Sequence, residues 1–184
     1  MSYCSEIVER LSRVLNPVSE AQKADAAVAL LLKPTSRDFE VLLVKRVETP
    51  GDPWSGQMAF PGGKRDWKDG DLKQTVIRET LEETGVDVTH HSRFLGVLET
   101  VRSSVKPKLL VAPFVILLEH EPTVTLNEEL EGSLWVRLKK LEECKGTAKL
   151  AFGEVPAYLV GGNVVWGLTH KVLEKFNRVL HHVQ

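Results

Sequence analysis

Cysteine is scarce: Cys4 and Cys144 are the only two in 184 residues, and they have no paired spacing. That excludes a disulfide framework, and none of the six histidines has zinc-ligand spacing to either cysteine. No apolar run approaches the ~20 residues a bilayer demands. The first residues also lack the charged-then-apolar layout of a secretory leader. The expectation is a cytoplasmic protein with no membrane partner. Lysine and arginine number 24 against 25 acids, a formal net charge of −1, so no broad nucleic-acid footprint exists. No repeat, low-complexity tract or shift of composition divides the chain. A hydrophobic fraction of 42% suffices for a substantial core, so residues 1–184 are expected to form a single domain. No Ser-His-Asp arrangement or G-x-S-x-G motif suggests covalent hydrolysis.

What is present is concentrated in residues 60–86, F-P-G-G-K-R-D-W-K-D-G-D-L-K-Q-T-V-I-R-E-T-L-E-E-T-G-V. A glycine turn precedes a helix carrying Glu79, Glu82 and Glu83. At roughly 100° per residue, the three carboxylates share an arc of about 100°. Ile77, Thr80, Leu81 and Thr84 occupy a different arc and can face a core. Arg78 stands four residues before Glu82, within ion-pairing reach. Acids crowded on one face repel each other. They form either a solvated face or a site for a hard divalent cation, which prefers carboxylate oxygen.

The flanking segments supply a scaffold. Residues 5–16 have helical periodicity, from Ile7 through Leu15, either packed on the chain's own sheet or used as a homodimer contact. Residues 26–32 and 39–47 read as a strand hairpin ending in Lys45 and Arg46, which either reach a phosphate or mark a solvated strand end. The Pro- and Gly-rich loop that follows carries Trp54, placed either to stack on a nucleobase or to pin the loop. Met58-Ala59-Phe60 is a brief strand, and residues 94–101 and 109–118 are further strands. Their bridge holds Arg102, Lys106 and Lys108, read either as a solvated turn or as a contact for substrate phosphates. Residues 123–132 contain Glu128, Glu129 and Glu131. Residues 133–136 form a strand, 138–143 a short helix, 157–160 a short strand or loop, and about 164–180 a closing helix with Asn163 as N-cap.

Arg78-Glu79-Thr80-Leu81-Glu82-Glu83-Thr84-Gly85-Val86, with Gly63 upstream, resembles the Nudix box, G-x5-E-x7-R-E-U-x-E-E-x-G-U, over residues 63–86. Two departures stand out. The Gly63–Arg78 spacing is one residue longer than the family's, and the intermediate Glu is missing. Counted forward from Gly63 its place falls on Asp69; counted back from Arg78 it falls on Gly70, with Asp71 next to it. The resemblance implies the α/β (α+β) Nudix fold, an α/β/α sandwich with a mixed sheet and a loop-helix-loop box. It also implies Mg²⁺ or Mn²⁺ held by Glu79, Glu82 and Glu83. Glu82 is a third ligand or the partner of Arg78, and Glu79 a ligand or the group that positions water. Arg78 orients the glutamates. A further carboxylate is expected from the 123–132 loop, with Glu129 the choice by location. Arg46, Trp54, Gly62, Gly63 and Lys64 are the expected substrate contacts.

The implied reaction is pyrophosphohydrolysis of a small nucleoside diphosphate derivative. Gly56 through Gly63 resembles the G-x3-F-P-G-G signature of coenzyme A pyrophosphatases, and Leu42-Leu43-Val44-Lys45-Arg46 its L-L-T-x-R start. The signature's middle arginine is replaced by Gly51 or Asp52, so a neighbouring cation, Lys45 or Arg46, would have to compensate. The Trp166-Gly167-Leu168-Thr169 segment resembles the same subfamily or is core. Coenzyme A or an acyl derivative is the expected substrate. The alternatives are ADP-ribose or another nucleotide-sugar or dinucleotide, or a catalytically silent ligand-binding regulator. An isopentenyl diphosphate isomerase would need a cysteine within a recognised motif, and an RNA-cap enzyme a more basic surface.

Overall fold

Alternation along one strand divides the core in two. In β1 (Ala26–Pro34), Ala26, Val28, Leu30 and Leu32 enter one apolar cluster, while Ala27, Ala29 and Leu31 enter another. The two-residue period of a strand requires this split, and a run apolar on both faces must lie between two layers. The computed structural model describes residues 3–184. Ahead of β1 come α1 (Tyr3–Val14) and a 3-10 helix (Val18–Lys23). After it come β2 (Phe39–Arg46), β3 (Met58–Ala59), β4 (Gly62–Lys64), α2 (Leu72–Thr84), β5 (Ser92–Val97), β6 (Val101–Arg102) and β7 (Leu110–Leu118). The chain continues through β8 (Leu130–Arg137), α3 (Leu138–Glu143), β9 (Lys145–Leu150), β10 (Gly153–Val160), β11 (Asn163–Trp166) and α4 (Gly167–Val183).

The main sheet has the order β3-β2-β1-β7-β5, with β4 also on β1, β8 on β2 and β6 on β7. β1 and β7 run parallel from Ala26↔Val111 to Leu32↔Leu117, and the other pairings are antiparallel, which makes the sheet mixed. One face packs on α1 and α4 through Ile7, Leu11, Val172 and Phe176; the other receives Leu72 and Val76 of α2. The result is an α/β/α sandwich. Burying Leu72 and Val76 contributes about 1.5–3 kcal/mol each, enough to fix which face α2 turns toward the sheet. Asp71 caps that helix, its carboxylate accepting from the Gln74 N–H at 2.8 Å, and Gly85 ends it in the left-handed region.

Several expectations need correction. Leu81 is 47% exposed, while Thr80 and Thr84 are fully buried. Thr84 can be buried because its hydroxyl donates to the Thr80 carbonyl. Asn163 is not the cap of the last helix. It opens β11, and α4 begins at Gly167 behind Trp166. Gly161 and Gly162, both at positive φ, form the two-residue turn of a β10–β11 hairpin closed by Val160↔Asn163. The strand read at 94–101 breaks after Val97 and resumes at Val101. β9 carries no sequence signal: only Ala148 of its six residues is buried, so it lacks an apolar alternation. Where 5–16 was expected, α1 spans residues 3–14, and it spends its apolar face on α4 and β5. No helix among the described residues is long and apolar enough to cross a membrane.

Candidate active site

The glycine turn and α2 are built around each other. Gly62 pairs with Val28 in the sheet, and a Cβ there would stand 2.2 Å from the Ala27 carbonyl oxygen. Its N–H donates to the Glu83 Oε2 at 2.8 Å. A Cβ on Gly63 would stand 2.5 Å from the Glu79 Oε1. The glycines therefore let the backbone come within hydrogen-bonding range of the acidic helix, which a side chain would prevent.

Arg78 is the hub of this helix. Its Nε and Nη2 donate to the two oxygens of Asp69 at 3.0 and 2.8 Å, and its Nη1 to Glu79 at 2.9 Å and Glu82 at 3.1 Å. Asp69 is buried and also accepts from the Thr75 hydroxyl and the Asp66 N–H. Its bond to Arg78 holds its carboxyl far below the usual range. The sequence located an acid at Asp69 without giving it a task; here it is the principal anchor of Arg78, the fork-to-fork geometry that favours arginine over lysine. Of the two places counted for the missing Glu, the structure brings the forward-counted one, Asp69, onto Arg78.

The three glutamates are not equivalent. Glu82 is exposed, Glu79 half-buried, and Glu83 only 5% exposed. Burial pushes the Glu79 carboxyl up and the Glu83 carboxyl up to about 7, with the charges of Glu79 and Glu129 adding to the rise at Glu83. Glu129 comes close because its loop is stitched to the end of α2: the Thr125 N–H donates to the Thr84 carbonyl, and the Asn127 N–H to that of Glu83. Of the other two loop acids, Glu131 pairs with Lys45 instead. Among the described residues no three acidic, histidine or cysteine side chains converge as a closed metal cage, since Glu79 and Glu82 are turned to Arg78. The donor set nevertheless suits a hard divalent ion. Glu83 is buried with one N–H partner among repelling carboxylates, and a cation is what would relieve it.

A cavity of about 270 Å³ opens above Glu83. Arg46, Trp54, Gly62, Gly63 and Lys64, the five expected substrate contacts, all line it, together with apolar Val28, Met58 and Leu168. Arg46 binds Asp52 at 3.0 Å, while its Nε is buried without an acceptor. Asp52 thus pairs with Arg46 and is not an uncompensated charge, and it also accepts the Trp54 N–H at 3.0 Å. Lys45 is spent on Glu131, so of the two cations named to offset Asp52 only Arg46 does so. Thr169 ties α4 to the site by donating to the Met58 carbonyl, whereas Trp166 packs on Phe152 away from it. A larger cavity of about 590 Å³ lies beside Trp166, His170 and Phe152 and contains none of the box acids.

Known proteins resemble this arrangement. A family profile described as the NUDIX domain matches residues 22–155. The peroxisomal coenzyme A diphosphatase ndx-8 of Caenorhabditis elegans is 34% identical over 131 residues, covering 69% of this chain and 54% of its own length. The mouse mitochondrial coenzyme A diphosphatase NUDT8 is 30% identical over 130 residues, with 65% and 60% covered, so the chain spans little more than half of these relatives. Among solved structures, the NUDIX domain of Shewanella oneidensis NrtR, complexed with ADP ribose, superimposes with a TM-score of 0.57 at 19% identity, covering 84% of this chain and 86% of that one. With its glycine turn, its Arg78-centred acidic helix and a profile match over most of its length, this chain belongs to the Nudix family.

Proposed function

We propose that the protein is a divalent-metal-dependent pyrophosphohydrolase whose substrate is coenzyme A or an acyl-coenzyme A. The observation that carries the hydrolase reading is the buried Glu83, bonded to the Gly62 N–H in the wall of a cavity lined by Arg46 and Trp54, with the charges of Glu79 and Glu129 acting on it. Glu79 and Glu83, joined by Glu82 once it exchanges Arg78, would hold Mg²⁺ or Mn²⁺. Such an ion supplies charge neutralisation for the diphosphate oxygens and acidifies water. Arg78, fixed by Asp69, keeps the carboxylates from collapsing away from the site. Glu129, carried by a loop bonded to the end of α2, would bring a further carboxylate to the site. Glu79, which lies against Gly63, would orient the attacking water when it is not ligating. The Arg46 Nε, a buried donor without an acceptor, suits a phosphate oxygen, since an unmet buried donor costs about 1–3 kcal/mol.

Coenzyme A is favoured by the residue pattern at 42–46 and 56–63 and by the named activity of ndx-8 and NUDT8. Those relatives carry peroxisomal and mitochondrial names, so a cytoplasmic location rests on composition alone. The test is kcat/KM for coenzyme A, dephospho-coenzyme A and ADP-ribose under one metal condition. Coenzyme A should lead, yielding a 4′-phosphopantetheine and adenosine 3′,5′-bisphosphate. A clear lead for ADP-ribose would reassign the substrate and make the 42–63 pattern a matter of backbone geometry.

A further inference from the structure

We infer that Lys106 is a specificity-determining residue that reads a phosphate lying outside the scissile diphosphate. This inference rests on the nucleotide-hydrolase reading given above. Lys106 sits on the β6–β7 loop, 52 positions after Trp54 in the chain, yet its ammonium lies 4.5 Å from the centroid of the Trp54 ring. Trp54 lines the cavity above Glu83. Two loops distant in sequence thus meet at the mouth of the site through one cation over one indole.

Of the cations nearby, Arg46 is held by Asp52 and Lys45 by Glu131, while Lys64 lines the cavity beside Gly63. Asp52 accepts the Trp54 backbone N–H with its other oxygen, which anchors the loop that carries the ring. The Lys106 ammonium has no carboxylate within ion-pair distance among the described residues, although its charge is felt at Asp52. Its backbone, by contrast, is well anchored. The Lys106 N–H donates to the Ser103 hydroxyl at 3.1 Å, and its carbonyl accepts the Leu109 N–H at 2.8 Å. Arg102 donates to the Pro107 carbonyl, and Lys171 from α4 donates to the Ser104 hydroxyl. The loop is therefore pinned from both sides while its cation is left available.

A lysine over an exposed aromatic face gains only about 0.5–1 kcal/mol. An ammonium–phosphate hydrogen bond is charge-assisted and roughly twice as strong as a neutral one, so exchanging the ring for a phosphate is favourable. A nucleotide with its diphosphate at Gly62 and Glu83 and its base near Trp54 would place a ribose phosphate beside that ring. The free cation stands at the same place. Dephosphorylated nucleotides would lack the contact and gain nothing from it.

The experiment measures inhibition of the wild type, Lys106→Met and Lys106→Arg by adenosine 3′,5′-bisphosphate and by AMP. The assay uses whichever diphosphate substrate the wild type turns over, and the coenzyme A to dephospho-coenzyme A ratio of kcat/KM is read in parallel. The wild type should bind the bisphosphate about five- to tenfold more tightly than AMP. Lys106→Met should bring that ratio close to one, and Lys106→Arg should keep most of it. Equal inhibition in the wild type, or an unchanged ratio in Lys106→Met, overturns the inference. Failure of the coenzyme A reading is seen separately, as absence of coenzyme A cleavage by the wild type while the inhibitor ratio still reports on Lys106.

Discussion

Replacing Asp69 with asparagine tests how the acidic helix is held. The substitution keeps the shape of the side chain but removes the charge that receives both the Nε and the Nη2 of Arg78. Arg78 is 30% exposed and retains Glu79 and Glu82, so the loss falls below the ~3–5 kcal/mol typical of a fully buried pair losing one partner. About 2–3 kcal/mol is expected, which lowers Tm by ~4–12 °C for a chain of this size. The sign with pH follows from the depressed carboxyl of Asp69. The stability it contributes is fully present above the ordinary aspartate pKa. It is lost only as pH falls toward the much lower folded-state value, so the wild-type advantage should persist at neutral pH and fade only in strong acid. Denaturant unfolding of both proteins at neutral and acidic pH measures this. Activity should fall as well, because an unanchored Arg78 draws more strongly on Glu79 and Glu82. A variant as stable and as active as the wild type at neutral pH would show that Asp69 does not hold Arg78.

Arg78→Lys should lower kcat with little change in KM, because an ammonium cannot bind Asp69 through two parallel bonds while serving Glu79 and Glu82; a rise in KM at unchanged kcat would place Arg78 on the substrate instead. Of the single glutamine substitutions at Glu128, Glu129 and Glu131, only Glu129→Gln should cut kcat strongly, about a hundredfold. Steady-state kinetics of the three variants decides this, and three near-wild-type rates would confine the essential carboxylates to α2.

The parts legible in the sequence were those where local pattern and long-range packing agree. The β1–β2 hairpin was legible because both runs end at a polar turn, and the box helix because its acids, its Gly85 stop and its glycine turn are contiguous. Leu81 is exposed although a helical wheel of α2 assigns a leucine to the core, because Thr80, Thr84 and Glu83 take the inward positions. Thr84 and Glu83 have hydrogen-bond partners, whereas the Thr80 hydroxyl is buried without one. The β10–β11 hairpin carries a readable signal in Gly161-Gly162, a two-residue turn between Val160 and Asn163. β9 carries none, since five of its six residues are exposed or only half-covered. The task of Asp69 and the meeting of Trp54 with Lys106 depend on contacts between segments that no spacing rule connects.

The central claim is that carboxylates of α2 support cation-dependent cleavage of a diphosphate, and Glu83 tests it most directly. Glutamine there keeps the size of the side chain and an oxygen for the Gly62 N–H, so the fold should persist with an unchanged circular dichroism spectrum and a similar Tm. Coenzyme A turnover with product identification is measured for wild type and Glu83→Gln, with Mg²⁺, with Mn²⁺ and after chelation. The account predicts cleavage to a 4′-phosphopantetheine and adenosine 3′,5′-bisphosphate in the wild type, abolished by chelator, and a loss of at least about a thousandfold in folded Glu83→Gln. Full activity in that variant, or wild-type cleavage indifferent to chelator, would contradict it.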